Sequence, residues 1–377
     1  MAVLSDRIYL DYAATAPLLP EVRSAMEPWL TGQHGNPSSL HAEGRAARAA
    51  LDEAREVLSE RLGCLFGEIT FCSSGTEAAN LAILGTALGN EDRQRNHILL
   101  GAAEHHCVLH CRERLERYGY RVSLIPVDAQ ARVRPESLTE RVGEDTVLVS
   151  VMHANNETGA INGIRQLSDI AHEAGALFHC DAVQTLGALP WTVNSLDADL
   201  VSVSAHKIGG PKGVGALAHR AQVSLSPLIL GGGQEREMRG GTENVAGIVG
   251  FKAAVQALAG RLFGPEARDA FAAGLGVGVV WTTPGFEDVL PGHCHIRLPG
   301  VRSETALIAL DRAGISASSG AACSSGAVEP SHVLRAMGLS ESEANEGLRF
   351  TLGPSFGIEN ARHAGQRVAS VLAPLAT

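Results

Sequence analysis

Lys207 follows an apolar run, residues 200–203, within Ser204-Ala205-His206-Lys207, and glycines at 209, 210 and 213 then break the chain. Such a run, ending on a serine, a histidine and a lysine, reads as a buried strand that presents an amine to a cleft. The amine stands out because the chain holds only three lysines, Lys207, Lys212 and Lys252. Lysine can lose its proton and condense with a carbonyl, whereas arginine keeps its charge. A second reactive group is the thiol of Cys323. It lies in a run of Ser, Gly and Ala, residues 316–326, with little to pack against, which predicts an exposed thiol on a mobile stretch.

These groups need elements to position them. Residues 69–72 read as a strand entering Ser73-Ser74-Gly75-Thr76-Glu77, with an Ala/Leu helix to about residue 88. That arrangement aims free backbone N–H groups at an anion, and the hydroxyls of Ser74 and Thr76 add donors. It equally describes an ordinary helix cap with Glu77 in the first turn. Residues 97–100 form a strand ending at Glu104-His105-His106-Cys107. Adjacent histidines do not share a helix face and no second ligand cluster follows, so no metal site is expected; stacking on a cofactor ring suits the flat imidazole of His105 better. Residues 121–127, 146–152, 176–180 and 214–218 read as further strands, and 39–62 and 164–174 as helices. Polar residues cluster just past the strand ends: Thr76, His105, Asn155, Asp181 and Ser204. In an open, mostly parallel sheet, ligands bind at that edge.

Past the glycine-rich stretch 231–241, Thr242 is expected to cap a helix running to about residue 258. Residues 277–281, 295–298 and 347–352 then read as strands of a second, smaller unit. A chain of 377 residues suits two domains. The formal charge of −10 does not suggest a nucleic-acid or anionic-membrane surface. The N-terminus shows no secretory pattern and no apolar run reaches spanning length, so a cytoplasmic protein is expected. Seven scattered cysteines, without Cys-x-x-Cys, suggest neither disulfides nor zinc.

Three blocks together resemble the cysteine desulfurases: Ser204-Ala205-His206-Lys207 with Gly210-Pro211-Lys212-Gly213, Gly231-Gly232-Gly233-Gln234-Glu235 with Arg239 and Gly241-Thr242-Glu243-Asn244, and the segment around Cys323. That family belongs to the class V aminotransferase group of pyridoxal-phosphate enzymes with the fold type I architecture. The resemblance runs from about Tyr9 to Leu352, and Glu329-Pro330-Ser331-His332-Val333-Leu334 is similar to the subgroup with a longer cysteine loop.

The resemblance implies an α/β fold with a mostly parallel, seven-stranded sheet in a large domain, residues 16–257. Residues 1–15 and 258–377 would form a smaller α/β domain carrying the cysteine loop, about 316–328. It implies pyridoxal 5'-phosphate as cofactor, held covalently by Lys207, which would also move protons at the substrate Cα. Asp181 would pair with the ring nitrogen, Gln184 with the ring hydroxyl, and His105 would stack on the ring and act in acid–base steps. Gly75, Thr76, Ser204 and His206 would hold the phosphate, and Thr242 would reach that of a neighbouring subunit in a homodimer. Asn155 and Arg349 would hold the carboxylate of L-cysteine. Cys323 would take the sulfur as a persulfide, for a sulfur-acceptor protein in iron–sulfur cluster assembly or tRNA thiolation, with alanine released. Residues 261–276 are shorter than the family's usual charged helix, and Gly353-Pro354 stands where an arginine is common. The alternatives are a selenocysteine lyase, an aminotransferase with an incidental Cys323, or a non-catalytic scaffold that kept the fold.

Overall fold

The computed structural model describes residues 7–92, 94–258, 264–276, 278–282, 288–320 and 330–376. Its largest sheet has seven strands in the order Ile69–Cys72, Gly215–His219, Leu200–Ser204, Leu177–Asp181, Thr146–Ser150, His97–Gly101 and Arg121–Ile125. Gly215–His219 runs antiparallel to both its neighbours, and the other pairings are parallel. The inner strands are mostly apolar because helices cover both faces; every residue of Thr146–Ser150 and Leu200–Ser204 is buried, and His179 and Ser202 satisfy each other at 2.8 Å inside the sheet. One face packs through Leu51, Leu58, Leu167, Phe178 and Phe251, the other through Leu81, Leu84, Leu115 and Leu148.

A second core contains Phe271, Ile296, Phe350 and Val368. Here His293–Arg297 lies between Gly347–Thr351 and Val280–Trp281, antiparallel to both. Helices Glu266–Leu275 and Ile358–Leu372 meet backbone to backbone. A Cβ on Gly274 would lie 2.2 Å from the Arg362 carbonyl oxygen, and one on Gly365 2.2 Å from that of Phe271, so any side chain would force them apart. The strand Ile8–Tyr9 pairs in parallel with Ile315–Ser316, which returns the start of the chain to this second core. No helix among the described residues is long and apolar enough to cross a membrane.

Several local expectations change. The segment after Ile8–Tyr9 enters a turn at residues 12–14, and Pro20 then opens the helix Pro20–Thr31, where its missing N–H is one the helix leaves unpaired anyway. The helix expected from a Thr242 cap is Val245–Gln256, capped by Asn244, whose side chain accepts the Gly247 N–H at 3.0 Å. The helix expected from residue 39 is Ala42–Leu62; His41 caps it and Gly63, in a left-handed conformation, ends it.

Candidate active site

The parallel strands end at one edge of the large sheet, and the turns beyond them enclose a cavity of about 320 Å³. It brings together Gly75, Thr76, His105, Asp181, Gln184, Ser204, His206, Lys207 and Arg349. Cys323 lies outside the described residues.

One end of the cavity is built to receive an anion. Ser74 caps the helix Gly75–Asn80 by accepting the Glu77 N–H at 3.1 Å, and the free N–H groups of the first turn follow it. This turn rests on the strand Gly215–His219. A Cβ on Gly215 would lie 2.4 Å from the Ser74 carbonyl carbon, so only glycine lets the turn sit this close. The Ser204 hydroxyl is buried and has no hydrogen-bond partner among the described residues, an orphan that an anionic ligand would satisfy. His206 Nδ1 lies 3.2 Å from Thr15 Oγ1. Burial, with Lys207 and Lys212 adding to it, lowers the imidazole of His206 to about 4, so it is neutral at pH 7.

The other wall groups suit a flat, cationic ring. Asp181, 6% exposed, ends its strand and accepts the Val183 N–H at 3.0 Å. Burial raises its carboxyl to about 6, against the opposing pull of that N–H and of the Lys207 charge. A lone anion there is costly, and a cationic partner offsets the cost. His105 Nδ1 accepts the Cys107 N–H at 3.1 Å, which leaves the proton of the neutral ring on Nε2. Burial first, then the Lys207 charge, lowers His105 to about 4.

Lys207 occupies the short 3-10 turn Ala205–Ile208 that closes its strand. Its ammonium donates to the carbonyls of Ala13, at 2.5 Å, and Ala14, at 3.0 Å. Gln184 donates to the same Ala13 carbonyl at 3.0 Å. The other lysines are placed differently: Lys212 is exposed and Lys252 pairs with Glu53 at 2.9 Å. Arg349, 4% exposed, projects from the second sheet. Its Nη1 donates to the Asn156 carbonyl at 2.8 Å and its Nη2 to Asp11 Oδ1 at 2.7 Å.

Two candidates fall elsewhere. Asn155 does not line the cavity. Its Nδ2 donates to the Ala103 carbonyl at 3.0 Å, and its Oδ1 accepts the N–H groups of Glu157 and Thr158, each at 2.9 Å. The side chain is spent on building a turn, and the neighbouring Asn156 lines the cavity instead. Thr242 is exposed and is not part of the cavity wall. Sequence reasoning also missed Ala13, Ala14 and Asp11, which act through backbone carbonyls or from a distant segment.

A model of the class-V aminotransferases matches residues 8–363. A putative cysteine desulfurase IscS 1 of Bacillus subtilis (strain 168) is 42% identical, over 97% of this chain and 99% of that protein. The chain belongs to the class-V aminotransferases, among the cysteine desulfurases. A cysteine desulfurase IscS of Dictyoglomus turgidum is 43% identical over 93% of the chain and 90% of that protein. Among solved structures, a NifS-like protein superposes with a TM-score of 0.90 at 34% identity, covering 97% of this chain and 99% of the other. The protein described as SspA in complex with cysteine gives 0.82 at 32%, over 92% and 99%.

For a cysteine desulfurase the state of the thiols matters. Burial raises all six described cysteines above the ordinary thiol range, Cys64 and Cys111 to about 12. Cys107 lines the cavity, but the nearby carboxyls of Asp181 and Glu104 push it up further. A thiol held neutral is a poor nucleophile. A second cavity, about 510 Å³, adjoins the first at Ala13, Gln184 and Lys207, and is lined mainly by apolar residues such as Leu18, Leu186, Leu258 and Leu352. The polar groups converge on the smaller one. Among the described residues no cluster of His, Cys, Asp or Glu is arranged to hold a metal ion.

Proposed function

We propose that this cysteine desulfurase binds pyridoxal 5'-phosphate in the smaller cavity, acts on L-cysteine, and passes its sulfur to Cys323 with release of L-alanine. The observation that carries the reading is the set of groups gathered on one cavity: a Ser204 hydroxyl with no partner among the described residues beside a helix start, Lys207, and buried Asp181. These match the phosphate, carbonyl and ring nitrogen of the cofactor in chemical type. Gly75, Thr76, Ser204 and His206 hold the phosphate, Asp181 the ring nitrogen and Gln184 the ring hydroxyl. When bound, pyridoxal phosphate supplies an electron sink for negative charge at the substrate Cα.

Lys207 anchors the cofactor and carries the Cα proton. His105, neutral and with a proton on Nε2, would face the bound ring and serve the acid–base steps. Arg349 and Asn156 hold the substrate carboxylate. The Cys323 thiolate attacks the substrate sulfur: a new S–S bond forms and the Cβ–S bond breaks. The electron pair of the broken bond stays with the carbon fragment, which takes up a proton and leaves as alanine. The persulfide is then available to a sulfur-acceptor protein. Thr242, exposed and outside the cavity of its own chain, supports a role across a homodimer interface. The two separate cores favour a division into a large unit, 16–257, and a small one from the chain's two ends.

The test is product analysis with L-cysteine. One alanine per sulfur, with the sulfur first on the protein, is the expected result. A keto acid with no protein-bound sulfur would point to transamination instead.

A further inference from the structure

Residues 10–16 thread between the two cores and touch the candidate site repeatedly. On one side Ala13 N–H donates to Thr351 Oγ1 at 2.9 Å, and Thr351 N–H donates to the Leu10 carbonyl at 2.8 Å. On the other, Ala16 N–H donates to the His206 carbonyl at 2.9 Å, and Lys207 and Gln184 donate to Ala13. The segment is stiffened by Tyr9, whose hydroxyl donates to the carbonyls of Asp11 and Thr15. Asp11 is the one charged side chain on this strap, and its Oδ1 meets Arg349 Nη2 at 2.7 Å.

A guanidinium has five N–H donors in a rigid fork. In Arg349 one donor on Nη1 goes to the Asn156 carbonyl and one on Nη2 goes to Asp11, while the buried Nε has no partner among the described residues. Two fixed contacts on the two terminal nitrogens leave the planar fork no freedom to rotate. That leaves the second N–H of each terminal nitrogen without an acceptor among the described residues, and a buried cation in the cavity wall favours an anionic ligand. We propose that Asp11 is a positioning residue for the amino-acid substrate: it fixes the Arg349 fork so that the remaining donors meet the α-carboxylate. Because the Asp11–Arg349 pair is close to neutral, recognition depends on direction more than on net charge. The ligand class it selects is therefore α-amino acids over amines of the same length without the carboxylate. This inference rests on the reading of Arg349 as the carboxylate receptor.

The experiment compares L-alanine with ethylamine, which differs by the carboxylate alone. Dissociation constants come from the absorbance of the cofactor-loaded enzyme, alongside KM and kcat for L-cysteine. Asp11→Ala should weaken L-alanine binding and raise KM by about 10- to 100-fold, as loss of an oriented charged hydrogen bond does. It should leave ethylamine binding and kcat within about threefold. Asp11→Asn, which keeps an oxygen acceptor, should restore most of the loss. Asp11→Ser, too short to reach Nη2, gives a second truncation if Asp11→Ala folds poorly, and should behave as Asp11→Ala does. Equal weakening of both ligands, or unchanged L-alanine binding, overturns the proposal. Arg349→Ala separates the layers. If it collapses the L-alanine preference while Asp11→Ala does not, the Asp11 inference alone fails. If it leaves the preference intact, Arg349 is not the receptor and the reading beneath fails.

Discussion

On one side of the cavity, Gly75, Asp181, Ser204 and Lys207 each lie within three residues of the end of their own strand. On the other, Arg349 is held by Asp11 and Ala13 by Thr351, each across 338 residues of chain. The first wall is set by local turns on a buried parallel sheet, so its groups share one rigid frame. The second exists only once both ends of the chain have returned to it. The difference matches two demands: proton movement at Cα needs a fixed geometry, while a substrate-recognition wall has to admit and release ligand.

The largest test of that contrast is at the sheet wall. Lys207→Ala should lose about 10⁴-fold or more in turnover, the scale of a lost positioned acid–base group. Borohydride reduction and peptide mapping should place the cofactor on Lys207 in the parent protein; labelling of Lys212 or Lys252 would break the account. The sheet wall also has a structural anchor. Arg55 and Glu235, both buried, pair at 2.8 Å, and Glu235 accepts the Phe71 N–H at 2.8 Å. Glu235 and the next two residues all have positive φ, 46, 56 and 70, a strained turn that the anchor must hold. Glu235→Ala strands a buried cation and should cost about 3–5 kcal/mol in denaturant unfolding. A cost under about 1 kcal/mol would mean the anchor does not stabilise this wall.

At the second wall the expected effect is smaller and specific. Arg349→Lys keeps charge but loses the fork, so KM for L-cysteine should rise about 10- to 100-fold with a lesser change in kcat. A change confined to kcat would move Arg349 from binding to chemistry.

Those walls were not equally readable. The strand ends carrying Asp181 and Lys207 were legible because a buried parallel strand is a mostly apolar run, and the cluster of polar residues that stops it marks the ligand edge. Asn155 and Asn156 were not separable, since two adjacent asparagines differ only in which one folds back on the turn. Thr242 and Asn244 are both good caps, and backbone geometry alone chooses the second. Ala13 and Ala14 contribute carbonyls, which no residue type reveals. Arg349 was found through the family resemblance; nothing near it in the chain points to Asp11.

The smallest predicted effect concerns pH. In the cofactor-free protein the Asp181 carboxyl, raised to about 6 by burial, holds its proton longer when folded than when unfolded. Its favourable contribution is full below about pH 4 and is lost as pH rises through about 6. Asp181→Asn removes that loss. The variant should gain stability over the parent by on the order of 2–3 kcal/mol at pH 7.5, with a smaller gain at pH 5. A gap that does not change between the two pH values would contradict the burial argument.

The central claim is that the sheet wall performs the Cα chemistry while a separate thiol, Cys323, removes the sulfur. The most direct measurement is mass spectrometry of the cofactor-loaded protein after one equivalent of L-cysteine without reductant. The account predicts one added sulfur on the peptide containing Cys323, one alanine per sulfur, and neither product from Cys323→Ser. Sulfur on Cys107, the one described cysteine that lines the cavity, or normal alanine and sulfide release by Cys323→Ser, would contradict it.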